Sequence, residues 1–185
     1  MRNLSALALG IVFLLASVTL AAATAAPQPA PTPGPGWPGS LRNGLPQELA
    51  GYATAPKDPY PDTDENEMGI YTQVSRRYQR IESATFAKSL VLLVQDYGRG
   101  KDLTASLRNA MREAGKVAGF TGKEQTVGGR PAFVVFHREG QKPVTVVTVM
   151  ATPSRVVLGL GDNIDDVETM KLLAHVDLQK IADAK

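Results

Sequence analysis

The alternation of apolar and polar residues predicts strands in two early segments of the chain. Residues 70–80, IYTQVSRRYQR, alternate with period two and contain β-branched and aromatic side chains, which is typical of a strand. Residues 86–95, FAKSLVLLVQ, are apolar on both sides toward their end, which favours a strand in the middle of a sheet. A weaker strand pattern, LAGYAT, precedes them at residues 49–54.

The period changes in residues 102–118, where apolar side chains recur at steps of three and four. This stripe comprises Leu103, Leu107, Ala110, Met111, Ala114 and Val117. Asp102 suits the N-cap position, and Gly119 suits the left-handed residue that follows a helix. The segment therefore predicts one long amphipathic helix.

The remaining sequence predicts four further strands and two short helices. Gly128 and Gly129 form a two-residue hairpin turn between strands, and VTVVTVM at residues 144–150 is strongly strand-like. Asp165 and Asp177 are placed as N-caps of short C-terminal helices. Runs of strands separated by isolated helices favour the α+β class. We predict an antiparallel β-sheet with one long amphipathic helix and short C-terminal helices packed on it.

The N-terminal region predicts export. Arg2 is followed by an uncharged apolar run over residues 4–26, and Ala23-Thr24-Ala25 fits the small-residue pattern of a cleavage site. We interpret residues 1–25 as a signal peptide. The run is also long enough for a membrane-spanning helix, so an uncleaved anchor is the alternative.

The segment that follows is rich in proline and glycine. Residues 26–46 contain seven of the thirteen prolines, and this composition predicts a disordered, extended linker. Residues 47–185 are then a single α+β domain, long enough to bury a hydrophobic core.

Composition excludes several classes of function. The chain has no cysteine, which rules out a lipoprotein anchor, a disulfide scaffold, a thiolate metal site and a cysteine nucleophile. Its 20 basic residues are nearly balanced by 18 acidic ones, whereas nucleic-acid binding usually shows as a clustered basic excess. We expect a periplasmic or secreted protein that does not bind nucleic acid.

One acidic stretch has the alternating oxygen ligands of a cation site. DTDENEMG begins at Asp62, and Asp62, Asp64 and Glu67 are the candidate metal ligands. A calcium loop needs glycine sixth and glutamate twelfth, and neither is present when Asp62 is counted as first. A solvated acidic loop is the alternative interpretation.

A second candidate site lies between the central strand and the predicted long helix. The segment YGRGK places Arg99 and Lys101 in a glycine-rich loop before a helix N-terminus, where free amides and the helix dipole favour an anion. The Walker pattern is absent, and Asp102 competes for the same amides.

Catalytic and metal signatures are otherwise missing from the sequence. His137 and His175 are the only histidines and lack metal-ligand spacing, and no nucleophile elbow occurs. We expect no cofactor and no enzyme activity.

Several segments resemble a loose group of small exported bacterial proteins of unknown function. They are LPQELAGY from Leu45, VGGRPAF from Val127, VTVVTVM, RVVLGLGD and the final VDLQKIA. The order of elements is similar to the α+β fold of the PsbP/Mog1 type. The resemblance implies a fold, and it brings no catalytic residues.

These observations favour an exported, non-catalytic α+β domain that binds a partner protein or a small ligand in the cell envelope. We expect no stable membrane span after cleavage. The alternatives are a periplasmic enzyme with an unrecognised site and a module that binds anions or cations weakly.

Overall fold

The computed structural model describes residues 37–55, 72–84, 86–98, 100–137 and 143–184. Within these residues, seven strands form an antiparallel sheet with short helices packed on it, which confirms the predicted α+β class. The elements are α1 (Trp37–Arg42), β1 (Ala53–Thr54), β2 (Thr72–Ser83), β3 (Phe86–Asp96), α2 (Thr104–Ala114), β4 (Phe120–Val127), β5 (Arg130–His137), β6 (Val144–Thr152), β7 (Arg155–Asp162), α3 (Asp166–Leu173) and α4 (Leu178–Asp183).

The strands lie in the order β1-β2-β3-β7-β6-β5-β4, and every neighbouring pair is antiparallel. β7 returns between β3 and β6, so β3 is paired on both sides. Val94 of β3, for example, is paired with Val74 of β2 and with Val157 of β7. The prediction of an interior strand at residues 86–95 is therefore confirmed.

Alternate residues of each strand point to opposite faces of the sheet. The first face is covered by α3, α4 and residues 37–54. We call residues 37–54 the N-terminal strap. The sheet residues of the first face are buried and almost entirely aliphatic. They include Val74, Tyr78, Leu90, Leu92, Val94, Val134, Val147 and Val157.

The second face carries a smaller apolar cluster under α2. Leu107 and Met111 of the helix are buried there, together with Leu103 in the turn before it. The sheet contributes Leu93, Phe133, Val135, Met150, Val156 and Leu158. Both faces of the sheet are thus covered, each by different segments of the chain.

The predicted long helix is wrong in length. The stripe over residues 102–118 is helical only from Thr104 to Ala114, which is 11 residues. Its amphipathic character is confirmed, but Val117 lies beyond the helix and is 52% exposed. The helix ends early because residues 115–119 turn the chain back toward β4, with Gly119 at a φ of 82°.

The expected linker and the structure differ in residues 37–46. Trp37–Arg42 form α1, and Leu41 and Leu45 are buried in the first-face cluster. Leu41, Leu45 and Leu49 follow one another at four-residue steps, so burial of this row offsets the cost of ordering glycine and proline. Residues 26–36 lie outside the described residues, as does the signal peptide predicted at residues 1–25.

The predicted hairpin turn and the caps of the two C-terminal helices are confirmed, whereas the N-cap predicted at Asp102 is wrong, because Leu103 occupies the N-cap position of α2 without a side-chain cap hydrogen bond. Gly128 and Gly129 both have positive φ, 56° and 75°, as a two-residue hairpin turn requires. The side chain of Asp165 accepts a hydrogen bond from the amide of Glu168, and Asp177 accepts one from the amide of Lys180. Among helices in the described part of the chain, none is long and apolar enough to cross a membrane.

Arg155 fastens the C-terminal helix to the sheet. Its Nε donates to Oδ2 of Asp96 at 2.8 Å, and the two side chains are only 12% and 4% exposed. Its Nη1 lies 3.0, 2.9 and 2.8 Å from the carbonyl oxygens of Ile181, Ala182 and Ala184. The guanidinium therefore satisfies carbonyls that a helix end leaves without partners.

We expect Arg155→Ala to lower the free energy of unfolding by about 3–5 kcal/mol, because it leaves the carboxylate of Asp96 buried without its cation. Urea denaturation measures this loss. The matched control is Lys180→Ala, which removes an exposed ion pair with Asp177 and should cost under about 1 kcal/mol. Equal effects of the two substitutions would contradict the assigned role of Arg155.

Gly122 tests how closely α2 packs on the sheet, and Gly39 serves as the control. A Cβ at Gly122 would lie 2.5 Å from the carbonyl oxygen of Met111, whereas a Cβ at Gly39 would meet no atom within 4 Å. We expect Gly122→Ala to destabilise the domain by about 1–3 kcal/mol, since helix and strand must separate. Gly39→Ala, inside α1, should be neutral or stabilising by under about 1 kcal/mol. Thermal unfolding of both variants compares them, and a neutral Gly122→Ala would refute this packing.

Candidate functional site

A cluster of ionisable side chains lies at one end of the first face, where the strap, β2, β3 and α3 meet. We call it the Glu168 cluster, and it comprises Tyr52, Arg80, Glu82, Lys88 and Glu168. Tyr52 comes just before β1, and Arg80 and Glu82 lie on β2. Lys88 lies on β3, and Glu168 lies in the first turn of α3. The topology, rather than closeness in sequence, brings these groups together.

Glu168 is the centre of the cluster. Tyr52 donates a hydrogen bond from Oη to Oε1 of Glu168 at 2.9 Å, and Lys88 donates from Nζ to Oε2 at 2.7 Å. A nitrogen of Arg80 lies 3.5 Å from Oε1. The amide of Glu168 donates the N-cap hydrogen bond to Oδ1 of Asp165, which fixes the start of α3 and so positions the carboxylate of Glu168.

The two cations of the cluster face each other. Arg80 and Lys88 are paired directly across β2 and β3, an arrangement that is destabilising for like charges. Glu82 lies 2.6 Å from Arg80 and 3.9 Å from Lys88. Together with Glu168 it neutralises the pair. The Arg80 guanidinium also lies 5.0 Å from the centre of the Tyr52 ring, a cation–π contact.

The environment determines the protonation of both ends of the Tyr52–Glu168 bond. Burial opposes the charge on Glu168, but hydrogen bonds from Lys88 and Tyr52 outweigh it and hold its pKa below the ordinary value. Burial, followed by the bond to Glu168, raises the pKa of Tyr52 far above its ordinary range. At neutral pH the carboxylate is therefore ionised and the phenol keeps its proton. This arrangement suits holding or binding rather than proton transfer.

A shallow, open depression of about 570 Å³ adjoins the cluster. It is lined by residues 47–54 of the strap, and Tyr52 joins it to the ionic groups. Leu49 and Tyr52 are buried in the core, so the depression presents mainly backbone and polar atoms. Hydrogen bonding to an incoming polar group is the chemistry available there.

The structure places only one of the sequence-predicted site residues. Lys101 is exposed, directly after Gly100. Nearby amides are already occupied: that of Gly98 donates to Asp96 and that of Thr104 donates to Asp102, both at 2.9 Å. Arg99 lies outside the described residues, as do Asp62, Asp64 and Glu67. The anion and cation sites therefore stay predictions.

The histidines do not join the Glu168 cluster. His137 is half-buried with its ring centroid 4.8 Å from that of Phe120, and His175 is exposed after α3. Where the chain is described, no three His, Cys, Asp or Glu side chains are grouped to hold a metal ion.

Comparison with family models, with curated proteins and with solved structures finds no match to this chain. The resemblance to small exported proteins and to the PsbP/Mog1 fold therefore stays a prediction.

Sequence reasoning did not find the Glu168 cluster. Tyr52 and Glu168 are 116 residues apart, and no local pattern joins them. The alternation in residues 70–80 does place Arg76 and Arg80 on one strand face. That pattern alone does not show which carboxylates neutralise them.

We expect Glu168→Gln to cost about 1–2 kcal/mol of unfolding free energy at pH 7 and less in acid. Because the folded pKa of Glu168 is depressed, its contribution is present above the unfolded pKa, about 4.3, and is lost as pH falls through the folded value. Urea denaturation of both proteins at pH 7 and pH 3.5 measures the difference. Glu113→Gln, which removes an exposed ion pair with Lys116, is the control. A Glu168→Gln cost that does not shrink in acid would contradict this interpretation.

Proposed function

We propose that this chain is an exported, non-catalytic α+β domain that binds a partner protein in the cell envelope through the tip of the β2–β3 hairpin. The observation that carries the proposal is the exposure of Ile81, whose side chain is 78% accessible on this tip. An isoleucine so exposed on a structured hairpin is available to another surface.

The hairpin extends past the strands beside it. β1 is paired with β2 only at Tyr78 and Gln79, and β7 is paired with β3 only from Ser89 onward. Residues 81–83 and 86–88 therefore project beyond both neighbouring strands. Asn163 covers part of this edge, since its side-chain amide donates to the carbonyl of Ala87 at 2.7 Å. The tip is accessible, and its base is fixed.

The chemistry of the tip suits a protein surface. Interfaces commonly have a central apolar residue surrounded by polar and charged groups that exclude water. Ile81 supplies the apolar residue. Its neighbours Arg80 and Glu82, and Lys88 across the hairpin, place both signs of charge on the same hairpin, with Arg80 and Lys88 on the opposite face of the strands. The bond of Lys88 to Glu168 holds the base of the hairpin on α3, which reduces the entropy lost on binding.

Two features of the sequence support the proposed location outside the cytoplasm. The leader at residues 1–25 has the pattern of an export signal, and the absence of cysteine fits a domain stabilised by its core alone.

The protonation states of Tyr52 and Glu168 support a binding role rather than a catalytic one. The protonated phenol of Tyr52 and the ionised Glu168 act as hydrogen-bond donor and acceptor. Neither is poised to exchange a proton near neutral pH.

Site-specific photo-crosslinking in cells that express the protein natively tests the proposal. A photoreactive amino acid replaces Ile81, or as matched control Val117, which is also exposed and lies at the turn after α2. We expect one discrete crosslinked species from position 81 and none from position 117. Adding Glu82→Lys, which reverses the charge of the residue next to Ile81, should reduce the yield severalfold. Equal yields at both positions, or no product at position 81, would refute the hairpin as the binding site.

A further inference from the structure

The N-terminal strap is held by different chemistry around Leu45 and around Tyr52. Around Leu45 and Pro46 the strap is held through its backbone carbonyls: Arg76 donates to both, at 2.9 and 2.8 Å, and the hydroxyl of Tyr78 donates to that of Pro46. The carbonyl of Gly44 also accepts from the amide of Asp177 at 2.9 Å. None of these acceptors changes its charge in mild acid.

The C-terminal part of the strap, residues 47–54, buries Leu49 and Tyr52 and makes one side-chain hydrogen bond to a carboxylate. Residues 53–54 form only a two-residue strand, extended by one bond from the amide of Ala55 to the carbonyl of Arg77 at 2.8 Å. The side-chain contact that joins this part to α3 is the bond from Tyr52 to Glu168. The titratable carboxylate of Glu168 therefore helps to hold residues 47–54, whose backbone pairing with β2 is short.

We propose that the Glu168 cluster is an acid-released latch: protonation of Glu168 frees residues 47–54 of the strap from α3 and β2, while the part around Leu45 stays anchored. Release would uncover the part of the first face that Leu49 and Tyr52 bury. The conformational change is local, because α2 packs on the opposite face.

The groups around Glu168 explain why a single proton has this effect. They are Tyr52 from the strap, Arg80 and Glu82 from β2, Lys88 from β3 and Asp165 from its own helix. Protonation leaves one carboxylate, Glu82, to neutralise Arg80 and Lys88 across the strands. It also converts the charge-assisted bond from Tyr52 into a neutral one of about half the strength.

The direction of the pH effect follows from the charges. Hydrogen bonds from Lys88 and Tyr52 lower the pKa of Glu168, so the latch is closed at neutral pH and opens as pH falls below the ordinary glutamate range. Glu82 cannot replace it, because in this structure Glu82 contacts the two cations and not Tyr52.

Hydrogen exchange of backbone amides in the full chain tests the latch. We expect amides in residues 49–55 to exchange at least about tenfold faster at pH 3.5 than at pH 7 after correction for intrinsic rates. Amides of α2 should not change. Glu168→Gln should produce the same acceleration already at pH 7. Glu82→Gln, which leaves the same two cations with one carboxylate but keeps the Tyr52–Glu168 bond, is the matched control and should accelerate exchange less.

Three outcomes would overturn the latch. They are unchanged exchange of residues 49–55 down to pH 3.5, equal acceleration in α2, and equal effects of Glu168→Gln and Glu82→Gln. If Glu168→Gln unfolds the whole domain, the Tyr52→Phe variant tests the latch instead, since it removes the Tyr52–Glu168 hydrogen bond and keeps the carboxylate of Glu168. Faster exchange of residues 49–55 alone in Tyr52→Phe supports the latch, and unchanged exchange refutes it.

Discussion

The structure depends on the need to cover both faces of one broad antiparallel sheet. Seven strands spaced about 4.8 Å apart span roughly 29 Å from the first to the last, whereas an 11-residue helix is only about 16 Å long. No helix among the described residues can shield a face alone. The first face is therefore covered by three separate segments, the strap, α3 and α4, and each must be held in place individually.

The second face meets the same constraint partly with polar side chains. α2 covers the apolar part over β4 and β5, and the part on β2 and β3 carries Gln73, Ser75 and Gln95. The two glutamines form a chain with Tyr97, in which Tyr97 donates to Gln95 at 3.1 Å and Gln95 donates to Gln73 at 3.0 Å. Burial raises the pKa of Tyr97 to about 12, so its hydroxyl remains a donor. A buried polar group with its hydrogen bonds made avoids most of the cost of leaving water.

What could be predicted from the sequence was local. The glycine turn at residues 128–129 and the cap at Asp165 depend on neighbouring residues, and both were found. Residues 37–46 of the strap fall in the predicted linker because their glycine and proline content indicates disorder, although Leu41, Leu45 and Leu49 have a four-residue apolar spacing. The Glu168 cluster and the return of β7 beside β3 arise from long-range pairing, which no window of sequence contains.

The Glu168 cluster also connects the strap to the hairpin that carries Ile81. Arg80 and Lys88 sit opposite each other at the base of that hairpin, and the carboxylate that accepts from Tyr52 is one of the two that neutralise them. Any change in Glu168 therefore acts on both elements at once. The hairpin and the strap share one charge, so the free energy of closing the strap contributes to the order of the hairpin.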